Sequence, residues 1–211
     1  MKIVIFSNGR VKDYAYIRNL IGNFDYIICA DGGVRHCNEM GLIPNFIIGD
    51  MDSAPREILD GYKEAGARIK IVPTEKDDTD TQLAVDKAIE MQPKEIILVG
   101  ALGDRWDHSY ANIMLLYRIL KSGIRGHLLD DKNIITLSNT ILHLKGQKGQ
   151  VLSLLPFGGD VHILNSSGLK YPLNKKTLYT DYPLGMSNVF IDENVIIEID
   201  KGVVLAIMAQ D

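Results

Sequence analysis

The chain has no Cys-x-x-Cys pair, no tract rich in Lys or Arg and no long apolar run. Each absence removes a class of protein. Its two cysteines, Cys29 and Cys37, lie in an apolar run and a helical stretch, which predicts reduced, buried thiols in a reducing compartment. With 23 basic against 27 acidic residues the net charge is -4, and no nucleic-acid surface is indicated. No apolar run approaches the roughly 18 residues that a membrane span needs. The opening MKIVIFSNGR carries an apolar run of only four residues, too short for a secretory leader, so a cytoplasmic chain is expected. Also missing are G-x-x-x-x-G-K-[ST], G-x-G-x-x-G, a G-x-S-x-G elbow around Ser53 and any H-E-x-x-H spacing among the five histidines. These gaps argue against a P-loop enzyme, a dinucleotide fold, a serine hydrolase and a zinc site.

Ample apolar content is present: 46% of the 211 residues are hydrophobic and 24% charged, enough for a sizeable core. Lys2–Phe6, Tyr26–Cys29, Phe46–Ile48, Ile69–Val72 and Glu95–Val99 are short β-branched runs. Their near-continuous hydrophobicity predicts strands buried on both faces of a parallel sheet. Helical patterns fall between them at 12–22, 33–41, 55–66, 79–91 and 108–122. Residues 1–125 are therefore expected to form a doubly wound, mostly parallel α/β domain with helices on both faces. Past Gly123 the rhythm changes to short alternating runs separated by turn signals such as Lys145-Gly146, Gly158-Gly159 and Lys201-Gly202. Residues 126–211 are expected to form an all-β sandwich.

In an open parallel sheet, ligands bind outside the carboxyl ends of the strands. Those ends deliver Ser7-Asn8-Gly9, Asp31-Gly32-Gly33, Gly49-Asp50-Met51-Asp52-Ser53, Lys76-Asp77-Asp78-Thr79-Asp80 and Gly100 through His108. Many of these residues also have a structural reading. Asp77, Asp78 or Thr79 suits a helix cap, as does Asp107, and Asp31-Gly32-Gly33 suits a tight turn. Asp50 and Asp52 are harder to explain that way, because one carboxylate suffices to cap a helix beginning near Pro55. Two unit charges about 4 Å apart repel by about 4 kcal/mol at an effective dielectric near 20. Several carboxylates on one rim therefore call for a cation. Hard oxygen donors without a His/Cys cluster point to Mg2+ shared with substrate phosphates, and Lys76, Arg35 and Arg105 are candidates for holding phosphate oxygens. On these residues alone the chain reads as a Mg2+-dependent phosphoryl-type transferase whose acceptor stays open.

The motifs CADGG (29–33), GDMDS (49–53), KDDTDTQ (76–82) and GALGDRWDH (100–108), followed by SGLKYPL (167–173) and GMSN (185–188), resemble the thiamine pyrophosphokinase family. The resemblance implies an N-terminal α/β catalytic domain, a C-terminal β-sandwich that binds thiamine and dimerises, and a homodimer with active sites at the subunit interface. It also implies transfer of pyrophosphate from ATP to the hydroxyl of thiamine, releasing AMP. By the same resemblance Asp50, Asp52 and Asp80 are the metal set, and these three with Asp77 and Arg105 form the catalytic group. Asp31, Gly32, Gly33, Lys76, Thr79, Asp107 and His108 fall to substrate binding. Tyr171, where relatives often carry tryptophan, would stack on thiamine, with Ser187 and Asn188 adding polar contacts. The nearest alternatives are a pyrophosphokinase of related fold acting on a pterin alcohol, and a thiamine or nucleotide sensor that binds without turnover.

Overall fold

The apolar run Lys2–Phe6 forms β1 and leads a βα alternation in the computed structural model, which describes residues 1–210. After β1 come α1 (Tyr14–Ile21), β2 (Tyr26–Ala30), α2 (Val34–Glu39), β3 (Phe46–Gly49), α3 (Arg56–Glu64), β4 (Arg68–Ile71), α4 (Asp80–Glu90), β5 (Glu95–Val99), α5 (Trp106–Lys121) and β6 (Arg125–Leu129). The strands pair in parallel in the order β6-β5-β1-β2-β3-β4. Ile3, Val4, Ile5 and Phe6 are all fully buried, as a central strand covered on both faces requires. At the edge, β4 exposes Arg68, Lys70 and Ile71, and its two cations discourage pairing with another chain. Asp13 caps α1 by accepting from the Tyr16 N–H at 2.9 Å, and Thr79 caps α4 by accepting from the Gln82 N–H at 3.1 Å.

The strand order runs one way from β1 through β4 and the other way through β5 and β6. This reversal opens a crevice beyond the carboxyl ends of β1 and β5. The first unit extends to Asp131. The reason is β6, which adds to the parallel sheet through the register Glu95–Arg125 to Val99–Leu129; a run of five residues ending beside turn signals does not reveal its partner.

The second unit, from Lys132 on, comprises β7 (Asn133–Ser138), β8 (Ile141–Lys145), β9 (Val151–Pro156), β10 (Val161–Ser167), β11 (Lys176–Leu178), β12 (Asn188–Val189), β13 (Asn194–Lys201) and β14 (Val204–Ala209). Antiparallel pairing builds two sheets, β12-β9-β14-β7 and β11-β10-β13-β8. Their inward residues, among them Leu142, Leu152, Leu154, Val161, Ile163, Phe190, Ile197 and Val204, form one core. Two sheets sharing a core constitute the expected sandwich.

Candidate active site

A cavity of about 660 Å³ occupies the crevice of the first unit. Its wall is built from strand ends: Ser7–Arg10 after β1, Asp31 after β2, Asp50 after β3, and Gly100–Arg105 after β5. Thr74, Lys76 and Asp78–Thr81 close one side, while His108, Ser109 and Asn112 of α5 close another.

Three carboxylates meet at this rim. Asp31, Asp50 and Asp52 each place an oxygen within 4.8 Å of the others. Local backbone geometry brings them there. Met51 has φ 62°, which folds the chain so that the Asp52 N–H donates to Asp50 Oδ1 at 3.2 Å. That donor is the main cause of the lowered Asp50 pKa. Ser53 Oγ donates to Asp52 Oδ1 at 2.8 Å. Asp31 is also left-handed, at φ 45°, an uncommon conformation for a residue with a side chain and one that concentrates at functional sites. Gly49 permits the approach, because a Cβ there would lie 2.8 Å from Asp31 Cβ.

The donor set suits a hard divalent cation. Asp31 is buried and its Oδ1 has no hydrogen-bond partner among the described residues, a costly state for a carboxylate oxygen unless a cation completes it. Asp80 Oδ1 is likewise buried without a hydrogen bond. Lys76 Nζ stands 3.0 Å from it as an ion pair and compensates its charge. Burial raises the Asp80 pKa, and the Lys76 ammonium opposes that effect. Lys76 is further held by donating to the Pro73 carbonyl at 3.0 Å.

The residues singled out from sequence therefore divide. Asp31, Asp50, Lys76, Thr79, Asp80, Arg105 and His108 line the cavity, and Asp52 joins through the carboxylate cluster. Asp77 is exposed and lies outside the wall. Asp107 also lies outside it and clamps Arg105: Nε reaches Oδ1 at 2.9 Å and Nη2 reaches Oδ2 at 2.6 Å. The guanidinium pulls the Asp107 pKa down, and the carboxylate raises that of Arg105. Gly32 and Gly33 serve packing, since a Cβ on Gly33 would sit 2.0 Å from the Phe6 carbonyl oxygen. Arg35 donates to the Ser53 carbonyl and, at 3.3 Å, to Asn8 Oδ1, so it braces loops rather than facing the cavity.

Arg10, Ser109 and Asn112 escaped the sequence reading. Ser109 is buried and bonds the Gly103 N–H at 3.1 Å, and Asn112 Nδ2 donates to the Ala101 carbonyl at 2.7 Å. Their spacing from Arg105 along α5, at four and seven residues, was the available signal.

In the second unit Tyr171 is 56% exposed, with Lys170 Nζ 5.5 Å from its ring centre. Asn188 is buried, and its amide grips the Tyr171 backbone at both ends: Nδ2 donates to the carbonyl at 2.7 Å and Oδ1 accepts from the N–H at 3.1 Å. Ser187 is exposed in a left-handed turn at φ 52°, its N–H donating to Ser153 Oγ at 3.1 Å.

An α/β sheet with acidic groups and glycine loops at its switch point, followed by a β-sandwich, defines the class: a phosphotransferase with an appended β domain. Family models for the thiamin pyrophosphokinase catalytic domain and vitamin B1 binding domain match residues 17–128 and 138–204. Thiamine pyrophosphokinase of Bacillus subtilis is 33% identical over 186 residues, 87% of each chain. Thiamine pyrophosphokinase 1 of Oryza sativa is 30% identical over 206 residues, 85% of this chain and 77% of its own. The crystal structure of thiamine pyrophosphokinase from Bacillus subtilis superposes with a TM-score of 0.90 at 28% identity, covering all of both chains. The chain belongs to the thiamin pyrophosphokinase family.

Proposed function

We propose that this chain is a Mg2+-dependent thiamine pyrophosphokinase that transfers the terminal pyrophosphoryl group of ATP to the hydroxyl of thiamine, giving thiamine diphosphate and AMP. The observation that carries the reading is the meeting of Asp31, Asp50 and Asp52 beside the switch-point cavity, with a buried Asp31 oxygen that no donor among the described residues reaches. Asp31, Asp50 and Asp52 would hold Mg2+, with Asp80 at hand as a further carboxylate; the ion would supply charge neutralisation for the phosphates. Lys76 and Arg105 bring positive charge to the same wall, Arg105 being aimed by the Asp107 clamp. The glycine-bearing ends of β1 and β5 let backbone approach the nucleotide closely. In-line transfer with charge spread over oxygens draws mainly on such positioning and electrostatics; no side chain is assigned as general base.

The exposed Tyr171 ring supplies a stacking face for thiamine's cationic ring, and Asn188 sets that ring's place through the backbone. Ser187 is available as a polar contact. A homodimer with active sites at the subunit interface belongs to the same proposal, as does residence in the cytoplasm. Trp106, Tyr110, Met114 and Tyr117 support an association surface, because they expose apolar side chains along one face of α5. The relatives favour thiamine over a pterin alcohol as acceptor, and an enzyme over a sensor. Anion-exchange separation of the nucleotides after incubation with ATP, Mg2+ and thiamine tests the reading. AMP formed only when thiamine is present is expected; ADP as the product would overturn it.

A further inference from the structure

His36 lies on α2 and is 6% exposed, so its two ring nitrogens need partners inside the protein. Both have one. Nδ1 is 3.0 Å from the Tyr14 hydroxyl and Nε2 is 2.9 Å from the Gly9 carbonyl oxygen. A carbonyl only accepts, so Nε2 carries the proton and Nδ1 accepts from Tyr14. Burial favours the neutral ring and lowers its pKa, with the Gly9 carbonyl acting against that trend.

The carbonyl that His36 holds sits where two loops of the cavity meet. The Gly9 N–H donates to the Gly100 carbonyl at 2.7 Å, which joins the segment after β1 to the one after β5. Contact there is backbone to backbone: a Cβ on Gly9 would be 2.3 Å from the Gly100 oxygen, and one on Gly100 would be 2.6 Å from the Ser7 oxygen. Both loops line the cavity, whereas His36 does not. It reaches the cavity wall through the Gly9 carbonyl, beside the backbone of Ser7 and the closely packed Gly100.

We propose that His36, oriented by Tyr14, is a positioning residue for the nucleotide. Its Nε2–H anchors the Gly9 carbonyl and so fixes the Ser7–Arg10 and Gly100–Gly103 loops against each other on the ATP side of the cavity. The inference rests on the pyrophosphokinase reading for its nucleotide. Removing the donor leaves the half-buried Gly9 carbonyl without its His36 partner and loosens the junction of the two loops. Tyr171, on the second unit, is untouched by that change. The effect is thus selective: ATP is held less well and thiamine as before.

Three variants and one spectrum test this. His36→Leu removes the donor, His36→Gln restores an N–H near the Nε2 position, and Tyr14→Phe frees Nδ1. For His36→Leu we expect KM for ATP and the calorimetric Kd for Mg2+-ATP to rise about tenfold, the equivalent of one hydrogen bond, with KM for thiamine unchanged. His36→Gln should recover most of that loss, and Tyr14→Phe should fall between. A long-range proton–nitrogen spectrum of the wild-type protein, which needs no variant to fold, should show His36 as the Nε2–H tautomer. An Nδ1–H tautomer, an unchanged Mg2+-ATP affinity in His36→Leu, equal losses for both substrates, or no recovery in His36→Gln would each overturn the proposal. A wild type that binds Mg2+-ATP but does not turn over would sink the functional reading alone, since the binding comparison does not depend on turnover.

Discussion

Asp52 differs from its two neighbours in the cluster by being exposed, while Asp31 is buried and Asp50 half-buried. Neutralising it therefore removes charge from the site with little change in packing. Asp52→Asn is expected to lower turnover by on the order of 100-fold or more, the scale on which single electrostatic stabilisers act. In the metal-free protein the same change relieves repulsion among three carboxylates, so the thermal midpoint should hold or rise. Wild-type rates at limiting Mg2+ in that variant would contradict the metal role. Tyr171 is the residue proposed to stack on thiamine. Tyr171→Ala should raise KM for thiamine by about 2- to 30-fold, the range of a cation–π contact, and leave KM for ATP unchanged. A parallel rise in both constants would show that the ring does something other than stack. Both ends of the Asn188 amide hold the Tyr171 backbone. No local pattern announces a pairing across seventeen residues.

Whole elements place these residues, and two of the element contacts are testable. Gly49 ends β3 where a side chain would strike Asp31. Gly49→Ala should destabilise the fold by about 1–3 kcal/mol, the usual cost of forcing atoms into a packed site. It should also lower activity by displacing Asp31, and denaturant unfolding alongside turnover would check both. The second contact is the seat of α2 behind the β1 loop. His36 is faced there by Tyr14 from α1, Arg35 on its own helix and Asp131 after β6. Its pKa is below the ordinary 6.5, chiefly through burial. The unfolded chain thus binds more protons than the fold once pH drops below that value. Stability is fully present above about pH 6.5 and is lost as pH falls toward the folded pKa, by up to about 1.4 kcal/mol per pH unit. His127 is lowered by burial as well, so the difference between wild type and His36→Gln isolates the contribution of His36. Parallel loss of stability in both proteins would contradict the assignment.

The same scale shows what the sequence could convey. The runs Lys2–Phe6 and Glu95–Val99 match β1 and β5 end to end, because strands buried on both faces leave an unbroken apolar signal. Strand ends were legible too, and with them most of the cavity wall. The close meeting of Asp31 with Asp50 and Asp52 depends on the β2–β3 pairing and on two left-handed residues, so among the sequence signals only the family resemblance places Asp31 in the acidic site. Thr79 shows the opposite case: the helix-cap reading and a place in the cavity wall both hold at once.

In the whole molecule the parallel sheet, by its strand order, gathers the carboxylates and the glycine loops at one crevice, and the sandwich exposes the Tyr171 ring at its surface. Family membership rests on both units, since the two family models match separate stretches of the chain. If the protein works as a homodimer, sedimentation should return twice the 23.5 kDa of one chain. Tyr110→Glu, on the exposed face of α5, should shift that mass toward the monomer; a monomeric wild type would remove the proposed interface. The central claim is the group transferred and the alcohol that receives it. Phosphorus NMR of the protein with ATP, Mg2+ and thiamine tests it most directly. Signals of AMP and thiamine diphosphate are expected to rise together, whereas ADP with thiamine monophosphate, or unchanged ATP beside folded protein, would contradict that transfer.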